Sequence, residues 1–210
     1  VYLAEFTAIA LAHFVAVASP GPDFALVLRQ AVTRGRHAGW WTSAGIAAGI
    51  LVHVTYCLLG VALLLAGSPW LFNAMKALAA LYLFYLGISA IRAARHPVVS
   101  GALEATVPPL SPRRLWLAGF LTNGLNPKAT LFFLALFTVV ISPSTPLLIQ
   151  AAYGLYLSLA TFAWFALLSS VLGLAAVRAW MLKAGVWFER GMGVVLIVLA
   201  CQLALSLAPA

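Results

Sequence analysis

Apolar residues run along this chain in six long stretches, roughly 3–28, 40–66, 70–92, 115–141, 147–172 and 186–207, separated by short polar or proline-containing connections. Each stretch holds about 20 residues or more, enough at a rise of 1.5 Å per residue to cross a hydrocarbon core of about 30 Å. The pattern predicts an all-α polytopic membrane protein with six transmembrane helices and no soluble domain between them.

The longest connection, 93–114, holds Pro97, Pro108, Pro109 and Pro112 with the charges Arg95, Glu104, Arg113 and Arg114, and reads as a linker. It divides a single transmembrane domain, 1–210, into repeat one (about 1–92) and repeat two (about 115–210). Three spans on each side force the halves into the membrane in opposite directions, which is the geometry of an inverted repeat. Sliding the chain by 105 residues lays Pro22 on Pro127, Asp23 on Lys128 and Gly49 on Gly154.

Composition agrees with that assignment. Only 8% of the 210 residues are charged, 64% are hydrophobic and the mean hydropathy is +1.07, too apolar to cover a soluble domain of this size. The net charge of +8 reflects placement. All Lys and Arg except Lys76 and Lys128 fall on or beside alternate connections, Arg178, Lys183 and Arg190 around the one before the sixth span. By the positive-inside bias both termini face away from the cytoplasm, and no nucleic-acid partner is needed to explain the basic balance. Tryptophans 40, 41, 70, 116, 180 and 187 lie near the expected interfaces. Glu5, in place of a basic leader, argues that the first stretch is kept as a span. Cys57 and Cys201 read as packing residues, and no CxxC or Cys/His cluster suggests a metal site.

Against this apolar background two charges stand out, each directly after a proline: Asp23 in Ser19-Pro20-Gly21-Pro22-Asp23 and Lys128 in Asn123-Gly124-Leu125-Asn126-Pro127-Lys128. A lone Asp or Lys at mid-depth costs roughly 2.5–3.5 kcal/mol on insertion scales. The prolines withhold helical donors from the carbonyls near Ala16, Ala18 and Asn123, so helices 1 and 4 are expected to break there. Backbone groups freed at that depth need protein, water or ligand to satisfy them. A zwitterion suits such a site, its carboxylate on half-helix N–H groups and its ammonium on Asp23 and free carbonyls. Asp23 and Lys128 are expected to act as a unit, paired with one another and released by substrate or proton; a static structural pair is the competing reading.

Around them, Gly45, Gly49 and His53 share one helical face, the glycines for close packing and His53 as a candidate proton-coupling residue or an interior hydrogen-bonding one. His13 has no motif around it. Asn123 and Asn126 are candidate substrate contacts, and Tyr82, Tyr85, Tyr153 and Tyr156 candidate cavity-lining residues. Asp23 is the one acidic residue expected deep in the membrane, which favours neutral over dibasic substrates.

The Ser19–Phe24 segment, Gly45–His53, Tyr82-Leu83-Phe84-Tyr85-Leu86-Gly87 and Gly119–Lys128 together resemble the LysE/RhtB family of bacterial amino-acid exporters, over essentially the whole chain. The resemblance implies export of amino acids across the inner membrane on the proton gradient, with no bound organic cofactor, and allows a homodimer. One departure is that family members often continue the fourth span into a Pro-x-Phe segment, where this chain reads Leu136-Phe137-Thr138-Val139-Val140-Ile141. Enzyme chemistry is disfavoured because no Ser/His/Asp grouping, HExxH or paired aspartates occur within the spans. A passive channel or structural subunit is the remaining alternative.

Overall fold

The computed structural model describes residues 2–67, 69–93, 108–142, 144–172, 174–205 and 207. Most of the 93–114 linker, including Arg95, Pro97 and Glu104, lies outside the described residues, as do Ser68, Pro143 and Ala210. Every regular element among the described residues is helical: α1 Tyr2–Ala18, α2 Pro22–Arg34, α3 Arg36–Gly67, α4 Pro69–Ala93, α5 Pro112–Gly124, α6 Pro127–Ala135 running on into a π turn Leu136–Val140, α7 Leu147–Val171 and α8 Ala175–Leu205.

Local chemistry sets the ends. Pro22, Pro112 and Pro127 each open a helix, where a missing N–H is harmless and a fixed φ is already helical. Ser111 caps α5 by accepting from the Arg114 amide. Gly35, at φ +85, turns the chain between α2 and α3 in a conformation that side chains disfavour. Span 1 therefore runs past the expected end at 28 to Arg34. α8 begins at Ala175, so Arg178, Lys183 and Arg190 sit on this helix, whose apolar crossing segment runs from Lys183 to Leu205.

Three segments among the described residues are long and apolar enough to cross a membrane: Arg36–Gly60, Leu147–Val171 and Lys183–Leu205. The pair α1 and α2, bent by 55° at the break between them, makes a fourth if counted as one span. Large apolar side chains such as Leu11, Leu59, Leu81 and Leu148 are exposed on the outside, as a lipid-facing surface requires.

Lipid tails are as apolar as leucine, so burial alone does not hold membrane helices together; small residues and close backbone contact do. A Cβ at Gly45 would collide with the Trp116 carbonyl and one at Gly119 with the Thr42 carbonyl, which locks α3 against α5 from both sides. Gly154 meets Val54 in the same way across α3 and α7, and Gly87 and Gly193 meet across α4 and α8. The halves before the breaks pack differently from the helices that follow them: α1 lies against α7, α8 and the π turn, and α5 against α3 and α2. Two apolar clusters result, one around Phe24, Val27, Ile46 and Phe165, the other around Ile50, Phe132, Phe133, Leu136 and Met192.

Candidate functional site

Where the two clusters meet, a cavity of about 70 Å³ is lined by both helix breaks. At the first break, Ser19-Pro20-Gly21, the Ser19 amide makes the last α1 bond to Val15, and Pro20 and Pro22 have no N–H to offer Ala16 or Ala18. The α2 N-terminus is open. Gly21 is its N-cap and has no side chain to give, and the first backbone bond is from Ala25 to Gly21, 2.9 Å, so the amides of Asp23 and Phe24 are left without a capping partner.

At the second break, Leu125-Asn126, the α6 N-terminus is closed. Asn126 folds its side-chain oxygen back onto the amides of Lys128 (3.0 Å) and Ala129 (3.4 Å). The Asn123 carbonyl, which Pro127 deprives of a helical donor, accepts from the Asn126 amide at 2.9 Å and from His53 Nε2 at 3.0 Å. Because a carbonyl only accepts, that nitrogen carries the proton, and Nδ1 accepts from the Tyr56 hydroxyl at 2.6 Å. The His53 ring is fully buried and stacks on Phe133, with centroids 5.5 Å apart.

Side chains cross between the breaks. Asn123 Nδ2 donates to Asp23 Oδ2 at 2.9 Å, and Lys128 Nζ donates to Ser19 Oγ at 3.4 Å. Asp23 Oδ1 and Asn123 Oδ1 are buried with no hydrogen bond of good geometry among the described residues, the Asn126 side chain lying near the Asp23 carboxylate. Unpaired buried acceptors are expensive, so the two oxygens mark where a donor is wanted. Gly49 makes this possible: a Cβ there would lie 2.7 Å from Asn123 Oδ1.

Asp23, Lys128, Asn123 and Asn126 are thus brought together, with His53 behind Asn123. Asp23 and Lys128 form no ion pair in this conformation; each bonds instead to a neutral group at the opposite break. The four tyrosines lie elsewhere. Tyr82 and Tyr85 point outward, 36% and 62% exposed, Tyr153 bonds to the Tyr2 carbonyl and Glu5, and Tyr156 packs on Phe6. A shared face three residues apart is real for each pair, but that face is not the cavity's.

Glu189 and the contacts of Glu5 escaped the sequence reading, while His13, named there without a motif, lies at the cavity. Glu189, one turn beyond Gly185, whose face abuts Pro20, and three residues before cavity-lining Met192, is an acidic neighbour of Lys128 alongside Asp23. Asp23 is therefore not the sole carboxylate that bears on Lys128. Glu5 is buried and accepts from the Ser142 amide, the Thr145 hydroxyl and the Tyr153 hydroxyl at 2.9–3.3 Å. His13 lines the cavity and bonds Thr161. Isolated polar residues in apolar runs were the available signal.

Apolar outer faces, glycine-tight helix contacts and a cavity lined by two facing helix breaks define a multi-pass helical membrane protein. The model of the LysE type translocators matches residues 14–207, and the chain belongs to that family. It is 30% identical over 186 residues to the threonine efflux proteins of Salmonella typhi and Escherichia coli (strain K12), covering 88% of this chain and 89% of theirs. It is 34% identical over 129 residues to the leucine efflux protein of Salmonella choleraesuis (strain SC-B67), covering 60% of this chain and 58% of that one. No solved structure matches.

Proposed function

We propose that this protein is a secondary transporter that exports neutral amino acids or related small zwitterions across the bacterial inner membrane, driven by the proton-motive force. The observation that carries this reading is the opposed pair of unmet needs in one cavity. Asp23 Oδ1 and Asn123 Oδ1 lack donors, while the Asp23 and Phe24 amides at the uncapped α2 end lack acceptors. An ammonium on the oxygens and a carboxylate on the amides satisfy both, with Lys128 beside them as a counter-charge. The names of the threonine and leucine efflux relatives point to the same class of cargo.

The arrangement we favour has six crossings, α1–α2 and α5–α6 each counting as one, in two inverted repeats within a single domain, with periplasmic termini and room for a homodimer. Its support is that α3 packs on α7 and α4 on α8, the partners that sliding the chain by one repeat makes equivalent. Proton binding at Asp23 would weaken its hold on Asn123 and on the ammonium together, which couples protonation to release. His53 acts through Asn123, whose carbonyl it holds, as a positioning residue.

Purified protein in liposomes with an imposed pH gradient tests this reading against a panel of neutral amino acids. Uphill movement that collapses with the gradient is expected. Movement that ignores the gradient would make the protein a passive channel, and no movement of any neutral amino acid would overturn the assignment.

A further inference from the structure

We propose that His13 and Thr161 form a side-chain subsite that reads an uncharged hydrogen-bonding group, a hydroxyl or an amide, at the far end of the exported amino acid. This rests on the amino-acid reading above. The two residues come from α1 and α7, are 4% and 1% exposed, and line the cavity that holds Asp23 and Lys128. His13 lies six residues before Ser19, about 9 Å along the helix, so it stands apart from the charged end. The walls between are apolar, with Ala16, Val17, Phe132 and Phe165 among them.

His13 Nε2 and Thr161 Oγ1 are 2.8 Å apart. A neutral imidazole has one donor and one acceptor, so the threonine occupies one nitrogen and the other has no partner among the described residues. A carboxylate could only accept from that nitrogen and an ammonium could only donate to it. A hydroxyl or amide serves whichever tautomer the threonine leaves, whereas an aliphatic end would bury the nitrogen unpaired. The alternative is a hydrogen bond that only holds α1 to α7; that role is blind to the cargo.

Isosteric substrate pairs separate the two. In proteoliposomes the wild type is expected to move homoserine over norvaline, or threonine over valine, by about tenfold, the worth of one hydrogen bond. Thr161→Val should bring that ratio close to one and Thr161→Ser should keep it, with alanine efflux reporting each variant's competence. Should Thr161→Val not accumulate, His13→Met takes its place with the same expected loss. A competent variant that keeps the wild-type ratio, or a wild type with no preference in either pair, overturns the subsite and leaves amino-acid export standing. A wild type that moves no neutral amino acid overturns the export reading first.

Discussion

The two helix breaks carry the same proline and differ in what they do with the backbone behind it. At α1–α2 the helix end is open, with Gly21 offering no cap; at α5–α6 it is closed by Asn126. An aspartate two residues into a helix is favoured by the helix dipole and a lysine at the same place is opposed by it. The acid therefore sits where it is stabilised, and the base sits where it is not, on an end already satisfied by its own cap. Lys128 and Asn123 both reach to the first break, which meets them with the Ser19 hydroxyl and the Asp23 carboxylate and also leaves bare amides. The breaks are complementary parts of one site and not copies of each other.

The harshest test removes the charges. Asp23→Asn and Lys128→Gln should each lower efflux by about a hundredfold or more in liposomes, the scale of stripping a partner from a buried charge. The exchange Asp23→Lys with Lys128→Asp should fold yet stay inactive, because each charge faces a ligand group of fixed sign; recovery of transport would show a structural pair. A gentler variant transplants the cap. Gly21 has an extended backbone and its Cβ would meet only the Ser19 carbonyl, at 3.9 Å, so Gly21→Asn is tolerated. It should close the α2 end and cut efflux about tenfold through a raised KM while stability changes by only a few tenths of a kcal/mol. An unchanged KM would mean that no carboxylate docks there.

Asn126→Ala opens the other end, and thermal unfolding should report a loss of about 1 kcal/mol, with Lys128 now facing bare amides. Smallest of all is the outward face: Tyr82→Phe and Tyr85→Phe should leave efflux within about twofold of wild type, as surface changes of under about 0.5 kcal/mol do. A large loss there would restore them to the cavity.

The breaks and the residues that meet at them were legible because proline, asparagine and charge are loud signals in an apolar chain. The need of the Asn123 carbonyl for a partner was implied, since Pro127 withholds its helical donor, but that His53 meets it was not. Helix faces were not legible. A helix that is apolar all round has no stripe to say which side turns inward, which is why the tyrosine pairs stood only as candidates for the cavity and why Glu189 went unnoticed. The Glu5 and His13 contacts join residues more than 130 positions apart, and no local pattern encodes them. The π turn at Leu136–Val140, with its Ile141 amide bonded five residues back to Leu136 at 3.3 Å, has no proline or glycine within it to announce it.

The placement of α1 has a consequence for how the protein is made. α1 leaves the ribosome well before the helices it lies against, α7 and α8. Until they arrive, Glu5 and His13 are polar groups in lipid whose hydrogen-bonding partners do not yet exist. A segment made early is thus seated late, and its final docking waits for α7 and α8.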